Sequence, residues 1–286
     1  MKYLVTGGAG FIGSNLVDQL IQQGHEICVW DNLSTGKQEN VNNKAWFSQY
    51  DIKNVNPSTR AESEFCIYQY KFDAIFHLAA EARIQPSFLR PLGVHNSNTT
   101  ATVNILELAR LIKTKVIFAG TSSLYHDLYA NPYTFTKGIA EQYCEMYNKI
   151  YNVPVAIARF FNVYGPRQIE EGAYSTVVGV FERQKRTGVP LTITGDGEKR
   201  RDFTHVNDIV SGLIAMSQDS WNCEIFNLGS GVNYSINELA QMFSHPFEYI
   251  PERPGEAQTT LADISFTKDK LNWEPRHCLR KYIESL

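Results

Sequence analysis

The start of the chain constrains the fold more than any other segment. A β-rich run over residues 2–6 leads into a turn that contains Gly7, Gly10 and Gly13, and a helical pattern follows over residues 14–23. Positions without side chains permit a tight turn, let the backbone approach a pyrophosphate and allow the helix to pack closely on a sheet. Amide groups at the helix N-terminus would face the phosphates. The segment therefore predicts a dinucleotide-binding strand-turn-helix unit.

An acidic residue after the second strand narrows the choice of dinucleotide. The apolar run EICVW reads as that strand, and Asp31 follows it directly. A carboxylate at this position accepts hydrogen bonds from the adenosine ribose hydroxyls and would repel a 2′-phosphate, so NAD is expected rather than NADP. Asp51 and Ile52 follow a possible third strand and are candidates to bracket the adenine, although such a pair is more often surface and core.

The rest of the chain alternates between strands and helices. Runs at residues 72–78, 115–119 and 155–158 read as further buried strands, and helical patterns separate them at residues 99–113 and 136–151. This alternation predicts an α/β fold with a Rossmann-type, doubly wound parallel sheet. Glycine and proline recur from Gly165 onward, and the elements become shorter. We therefore expect an NAD-binding domain over 1–164 and a smaller, mainly substrate-binding region over 165–286 that can return elements to the first.

The composition excludes several classes of protein. The 286 residues are 43% hydrophobic, which is enough for a large core, so disorder is not expected. A net charge of -3 leaves no basic surplus for a phosphate backbone, so nucleic acid is not an expected partner. No apolar run reaches membrane-spanning length, and the N-terminus enters the glycine motif where a signal peptide would need a longer apolar stretch. We expect no membrane association.

The cysteines and histidines show no pattern of disulfide or metal chemistry. Cys28, Cys66, Cys144, Cys223 and Cys278 are widely spaced, odd in number and free of any CxxC motif, which indicates neither a disulfide framework nor a zinc site. The seven histidines lack metal-ligand spacing. We expect a cytoplasmic protein without a bound metal.

A tyrosine and a lysine four residues apart supply a candidate base. Tyr133 and Lys137 stand at the start of a helical pattern, which stacks their side chains on one face. An ammonium near the phenol, joined by the charge of an oxidised nicotinamide, is expected to lower the pKa of Tyr133 from about 10 toward the working range. The spacing alone also arises by chance in helices, where tyrosines mostly pack. The nicotinamide site predicted upstream favours the catalytic interpretation.

At this point the sequence resembles a known family, the extended short-chain dehydrogenase/reductases that act on nucleotide sugars. The resemblance spans nearly the whole chain, and its pieces occur in the family's order, which makes the match specific. The matching segments are TGGAGFIGSNL, DNLSTG, FHLAA, NTTATVNILELA, Tyr133-x-x-x-Lys137, RFFNVYGPRQ, GDGEKRRDFTHVNDIV, FNLGSG and RPGE.

The resemblance implies roles for particular residues. Thr121 matches the family's catalytic hydroxyl, which would bind the reacting sugar oxygen and help pass its proton to Tyr133, while Lys137 would also hold the nicotinamide ribose. The substrate's diphosphate and nucleotide would be held by Asn162, Arg201 and Arg253. Read from the residues alone, the less favoured alternative is that Arg200 and Arg201 are a solvated charge run and Arg253 is a loop residue. The expected cofactor-binding set is Gly7, Gly10, Phe11, Ile12, Gly13, Asp31, Asn32, Asp51, Ile52, Leu78, Ala79, Ala80, Asn98, Tyr133, Lys137 and Phe161.

The residues after the catalytic hydroxyl discriminate between reactions of the family. The resembling dehydratases have an acidic pair after the threonine and the decarboxylases have Thr-Ser-Glu, whereas this chain has Thr121-Ser122-Ser123. The resemblance therefore implies a UDP-hexose 4-epimerase, in which C4 of a glucose-, N-acetylglucosamine- or glucuronate-type sugar is transiently oxidised and hydride returns to its other face. The alternatives are a UDP-glucuronate decarboxylase, a nucleotide-sugar dehydratase or reductase, and a non-catalytic dinucleotide-binding module.

Two departures from the family pattern affect the substrate pocket. Only a short segment separates Thr121 from Tyr133, where the family has about two dozen residues, and His126 stands where the family has glycine. The missing loop would border the sugar, so we expect a more open site or impaired turnover. The helical patterns at 99–113 and 136–151 carry enough apolar surface for the resemblance to imply a homodimer formed through them.

Overall fold

The computed structural model describes residues 1–55 and 71–286, and Cys66 lies outside the described residues. The five strands predicted with bounds from apolar runs are present, each within two residues of the predicted bounds. In chain order the strands of the described residues are β1 (Lys2–Thr6), β2 (Glu26–Asp31), β3 (Trp46–Gln49), β4 (Ala74–His77), β5 (Lys115–Thr121), β6 (Val155–Phe160), β7 (Val163–Tyr164), β8 (Leu191–Thr194), β9 (Arg200–Asp202), β10 (Thr204–His205), β11 (Asn222–Leu228), β12 (Asn233–Ser235) and β13 (Phe247–Ile250).

Helices separate most of these strands. In chain order they are α1 (Phe11–Gln22), α2 (Ile84–Leu89), α3 (Pro91–His95), α4 (Ala101–Ile112), α5 (Pro132–Tyr151), α6 (Val177–Thr187), α7 (Val206–Met216), α8 (Ile236–Phe243), α9 (Ser265–Leu271) and α10 (Leu279–Glu284). A wider, π-helical turn at Asn96–Thr100 joins α3 to α4. The helix predicted from residue 99 therefore begins earlier, because this turn continues the helical path from α3.

One seven-stranded parallel sheet organises the described residues, in the order β11-β6-β5-β4-β1-β2-β3. The chain runs from β1 to one edge of the sheet and then returns to place β4 on the other side of β1. Strand order reverses at this point, and the crevice beyond the carboxyl ends of such strands is where open α/β sheets bind ligands. The predicted Rossmann-type α/β fold is confirmed.

Helices cover both faces of the sheet. On one face α1 and α7 pack through residues such as Leu16, Leu20 and Leu213, and on the other α4 and α5 pack through residues such as Ile105 and Cys144. All five side chains are completely buried. Both faces of every central strand are therefore apolar, as expected for a parallel sheet whose crossovers are helices.

The C-terminal part of the chain contributes to the large sheet and also builds a smaller layer. Strand β11 returns to the sheet edge beside β6, and α7 packs against α1. The two-stranded pairs β8/β13 and β9/β12 lie outside the large sheet. An apolar cluster that includes Phe181, Phe203 and Phe243 supports this layer. The division at residue 164 stays a prediction.

The described residues also bear on membrane and disulfide chemistry. No described helix combines the length and apolar character needed to cross a membrane. The four described cysteines, at positions 28, 144, 223 and 278, carry free thiols. Within residues 1–55 and 71–286, no three or more acidic, histidine or cysteine side chains come together as a possible metal site.

Candidate active site

A cavity of about 1000 Å³ opens beyond the carboxyl ends of the strands. It is lined by most of the residues predicted for the site, from both the N-terminal unit and the C-terminal layer. Those residues are Gly7, Gly10, Phe11, Ile12, Gly13, Asp31, Asn32, Asp51, Ile52, Leu78, Ala79, Ala80, Thr121, Tyr133, Asn162, Arg201 and Arg253. The predicted residues Asn98, Lys137 and Phe161 are outside this lining and are almost completely buried.

The glycine turn has no room for side chains. A Cβ atom added to Gly13 would lie 2.1 Å from the carbonyl oxygen of Gly7, and one added to Gly7 would lie 2.7 Å from the amide nitrogen of Ala79. Gly7 also has a φ of 74°, which glycine adopts without strain. The N-terminus of α1 follows this turn and is capped by no side chain. Its first amide groups are therefore available to a phosphate.

Acidic groups hold the loops at the ends of β2 and β3. The Asp31 carboxylate accepts hydrogen bonds from the backbone amides of Ala9, at 3.0 Å, and Leu33, at 2.8 Å. Asn32 donates to the Asp51 carboxylate at 3.2 Å. Asp31 thus links the glycine turn to the ribose side of the crevice. The glycine turn, the uncapped helix and this carboxylate are the donor and acceptor set that NAD requires.

Asn98 fixes the loop that follows β4. Its side-chain oxygen accepts from the backbone amide of Glu81 at 2.8 Å, and its amide nitrogen donates to the Glu81 carbonyl oxygen at 3.1 Å. The Glu81 carboxylate itself accepts from Ser97 at 3.0 Å and lies 3.7 Å from an Arg90 nitrogen. Asn98 therefore shapes the cavity from behind by holding residues 78–83, although it is not part of the wall.

The start of α5 brings the candidate base to the cavity. Asn131 caps the helix by accepting a hydrogen bond from the Thr134 amide at 2.8 Å, and Pro132 occupies the first helical position. This start places Tyr133 in the cavity wall beside Thr121, which ends β5. A hydrogen bond between Thr121 and the phenol favours ionisation of Tyr133. The two side chains thus form a connected pair of hydroxyl groups.

The protein alone does not lower the pKa of Tyr133 in the way predicted. Burial has the largest effect and raises the pKa above its ordinary value, while the Thr121 hydrogen bond and the positive charge of Arg83 oppose the rise. Lys137 was expected to supply that positive charge. Instead its ammonium lies 4.1 Å from the centre of the Phe118 ring, and burial lowers the pKa of Lys137 to about 8. Because Lys137 is packed behind the wall, Arg83 is the cation that acts on the phenol.

A buried ion pair supports the same helix. Glu141, one turn beyond Lys137, accepts a hydrogen bond from the Arg159 guanidinium at 2.6 Å. A Cβ atom at Gly120 would lie 2.8 Å from a Glu141 oxygen, so the carboxylate needs glycine there. The charge of Glu141 raises the pKa of Lys137 and of Tyr133. The sequence analysis did not predict this pair. The signal that could have indicated it was Glu141, a charged residue on the buried face of α5.

The predicted substrate residues lie on the C-terminal side of the cavity. Arg201 forms an ion pair with Glu256 at 3.5 Å. The loop that carries Arg253 is held by two hydrogen bonds: Gln85 donates to the Pro254 carbonyl oxygen at 2.8 Å and Asn131 donates to the Gly255 carbonyl oxygen at 3.3 Å. The shortened segment before α5 therefore ends against this loop, and His126 lines the cavity beside it.

The doubly wound sheet, the glycine turn and the tyrosine-bearing helix define a dinucleotide-dependent enzyme fold. Comparison with known proteins identifies the group to which it belongs. Residues 3–229 match the NAD dependent epimerase/dehydratase family, and the chain belongs to that family. Its cofactor is NAD, and the described glycine turn and Asp31 fit that cofactor.

Three comparisons indicate the range of reactions among similar proteins. The chain is 34% identical to a UDP-glucuronate 4-epimerase of Thermodesulfobacterium geofontis, over 96% of this chain and 91% of the relative. It is 32% identical to UDP-glucuronic acid decarboxylase 1 of Xenopus tropicalis, over 96% of this chain and 68% of the relative. A crystal structure of UDP-glucose 4-epimerase from Thermotoga maritima with UDP-glucose is similar at a TM-score of 0.91 and 32% identity, covering 99% of this chain and 96% of the other.

Proposed function

We propose that the protein is an NAD-dependent 4-epimerase of a UDP-hexose. The observation that carries this proposal is the composition of the wall beside the catalytic hydroxyl. Ser122 and Ser123 follow Thr121 and line the cavity, so neither position offers a carboxylate to act as acid or base in an elimination. Similarity to 4-epimerases of UDP-glucose and UDP-glucuronate supports the same reaction.

One carboxylate elsewhere in the cavity, that of Glu81, is not suited to replace the missing pair. Glu81 lines the wall, but it accepts hydrogen bonds from Ser97, at 3.0 Å, and Tyr174, at 3.4 Å, and it faces Arg90. These partners fix its orientation. Glu81 is better suited to hold the wall than to move protons to and from a sugar.

In the proposed reaction the chain moves one proton and positions two ligands. Tyr133 removes the proton of the sugar 4-hydroxyl, and Thr121 donates a hydrogen bond to the reacting oxygen. NAD, when bound, would supply the hydride acceptor and donor for C4. Lys137 holds the nicotinamide ribose from behind the wall. Arg201 and Arg253, with Asn162, bind the diphosphate and nucleotide, because guanidinium groups offer paired donors to phosphate oxygens.

Two other functions share part of this evidence. Decarboxylation of a UDP-glucuronate is supported by the relative of that activity at 32% identity, and it begins with the same oxidation at C4. A binding module without turnover would use the NAD crevice alone. The presence of Thr121 and Tyr133 in the cavity wall, with Lys137 buried behind it, favours an enzyme.

The purified protein, incubated with NAD and a panel of UDP-sugars, separates these functions. We expect a product of unchanged mass whose NMR spectrum shows inversion at C4. Loss of carbon dioxide would establish a decarboxylase, and loss of water would establish a dehydratase. Tight binding of NAD without conversion of any sugar in the panel would contradict the enzymatic proposal.

We also propose that the protein forms a homodimer through α4 and α5 in a reducing, cytoplasmic setting. Large apolar side chains on these helices face solvent in the single chain: Leu111 is 39% exposed, Ile150 is 62% exposed and Tyr151 is 46% exposed. Burying them against a second copy would be favourable. Light scattering should give the mass of a dimer. Ile150→Glu should shift it to the monomer, while Leu261→Glu, which changes an exposed leucine elsewhere, should not; a wild-type monomer would contradict the proposal.

A further inference from the structure

One cation in the cavity wall, Arg83, binds no ligand in the function proposed above. Five positively charged side chains from the described residues line the cavity, and three of them have carboxylate partners: Lys53 with Asp51, Lys199 with Glu252, and Arg201 with Glu256. Arg83 and Arg253 form no ion pair with any carboxylate in residues 1–55 and 71–286. Arg253 is already assigned to the nucleotide, which leaves Arg83.

The surroundings of Arg83 fix its guanidinium and leave part of it free. Its Nε donates to the carbonyl oxygen of Tyr174 at 2.9 Å. Among the described residues, its two terminal amino groups have no hydrogen-bond acceptor. Arg83 precedes α2 in an extended conformation, on the loop whose start Asn98 fastens at Glu81. The terminal nitrogens are therefore held on a fixed backbone and present a planar pair of donors to a ligand.

Arg83 and Tyr133 line the same cavity, and their segments are joined. Asn98 joins the loop of Arg83 to the helix of Tyr133: it donates to the Glu81 carbonyl oxygen at 3.1 Å and to the Thr136 hydroxyl, three residues beyond Tyr133, at 3.3 Å. Burial lowers the pKa of Arg83 and the Tyr133 phenol partly opposes that decrease, while the charge of Arg83 opposes the rise that burial causes in the pKa of Tyr133. A group that Arg83 binds must therefore lie near the sugar carbon whose hydroxyl meets Tyr133.

The chemistry of the hexose then identifies that group. C5 is bonded to C4, and C6 is bonded to C5, so a substituent at C6 stands beside the reacting hydroxyl. A carboxylate at C6 matches the paired donors of a guanidinium, whereas a neutral C6 hydroxyl offers one weaker acceptor. A partly buried cation without a counter-charge is costly, and an anionic substrate would remove that cost on binding.

We propose that Arg83 binds a carboxylate at C6 of the hexose, which makes a UDP-hexuronate the substrate class of this site. The inference rests on the proposed function, because it requires Tyr133 to contact the hydroxyl at C4 of the sugar. It adds to that function the residue that selects an acidic sugar over a neutral one.

The test compares kcat/KM for UDP-glucuronate and UDP-glucose in four proteins: the wild type, Arg83→Gln, Arg83→Lys and the control Arg186→Gln. Arg186 is an exposed arginine paired with Glu170, outside the cavity wall. Any effect of Arg83 on Tyr133 acts on both substrates, so the ratio of the two kcat/KM values isolates recognition of the carboxylate.

We expect the wild type to prefer UDP-glucuronate. Arg83→Gln should lower that preference by about 10- to 100-fold, since hydrogen bonds between charged groups have this magnitude. Arg83→Lys, which keeps the charge, should retain part of the preference, and Arg186→Gln should retain all of it. A wild type that prefers UDP-glucose, or an Arg83→Gln variant that loses activity equally on both sugars, would overturn the inference.

Failure of the proposed function gives a different result. If UDP-glucuronate loses carbon dioxide, epimerisation is wrong; UDP-glucose has no carboxylate to lose, so binding of the two UDP-sugars, measured as described next, then tests Arg83. If neither sugar reacts, calorimetric titration of the NAD-loaded wild type and Arg83→Gln with each UDP-sugar tests the same contact. A selective loss of UDP-glucuronate affinity in Arg83→Gln would support the inference, and equal affinities in the two proteins would overturn it. If Arg83→Gln fails to fold, the substrate preference of the wild type and that of Arg83→Lys still test the inference.

Discussion

Replacing Lys137 with methionine tests how burial of its ammonium group affects the stability of the protein. The side chain is 3% exposed, and burial lowers the pKa of Lys137 from its ordinary 10.5 to about 8, with the charge of Glu141 partly opposing the decrease. Methionine has a similar length without the charge, so it keeps most of the contact with Phe118. The substitution therefore removes one titration from the folded protein while changing little of its packing.

The sign of the effect follows from proton binding. Between pH 8 and 10.5 the unfolded chain keeps the proton on Lys137, whereas the NAD-free folded protein has lost it. Stability rises with pH wherever the unfolded state binds more protons, so Lys137 contributes increasing stability through this window. Each pH unit of the window adds about 1.4 kcal/mol to the free energy of unfolding, so the full gain is about 3 kcal/mol. Below pH 8 the lysine is charged in both states, and burying its charge lowers the free energy of unfolding by the full amount.

Urea unfolding of the NAD-free protein at several pH values measures this gain. Burial raises the pKa of Cys28, Cys144 and Tyr147, so these groups also contribute to the pH dependence of unfolding. The informative quantity is therefore the free energy of unfolding of the wild type minus that of Lys137→Met. We expect this difference to rise by about 3 kcal/mol between pH 7 and pH 10.5. Lys149→Met, on the exposed face of the same helix, should give a nearly flat difference. A flat difference for Lys137→Met as well would refute the burial argument.

Three further substitutions address the base, the turn and the buried ion pair. Tyr133→Phe should lower kcat by about 10²- to 10⁴-fold, measured by NMR of the sugar product, while Tyr129→Phe, outside the cavity, should leave it unchanged. Gly13→Ala should destabilise the protein by about 1–3 kcal/mol in thermal unfolding and weaken NAD binding, whereas Gly93→Ala, which meets only a flexible side chain, should do neither. Glu141→Gln should cost about 3–5 kcal/mol in urea unfolding, because it leaves a buried arginine unpaired; a loss below about 1 kcal/mol would contradict this.

Local patterns were enough to predict the NAD half of the molecule. The strand, turn and helix at the N-terminus, with Asp31 at the end of β2, form a short-range unit whose glycines and apolar runs act through neighbouring residues. The structure reproduces β1 at its predicted bounds. Because the ligand site of a parallel sheet lies at one edge, knowing the strands was sufficient to expect the crevice.

Contacts between distant segments were not predictable in the same way. Strand β11 joins the sheet edge beside β6 through a pairing set by tertiary packing. The Glu141 and Arg159 pair also depends on how α5 crosses the sheet. Arg83 lies in a loop without a periodic pattern, so its position beside Tyr133 emerges only when the ends of β4 and β5 are brought together. Sequence reasoning assigned the charge near the phenol to Lys137 because helical spacing was the signal it had.

A UDP-hexuronate labelled with deuterium at C4 tests the central claim most directly. If Tyr133 removes the hydroxyl proton and hydride passes to NAD and back, the deuterium leaves C4 and returns to it without exchange with water. We predict a C4 epimer of unchanged mass, with the deuterium retained at C4 in NMR. Loss of the deuterium to solvent would contradict this mechanism. A product that has lost carbon dioxide or water from the sugar would contradict it as well.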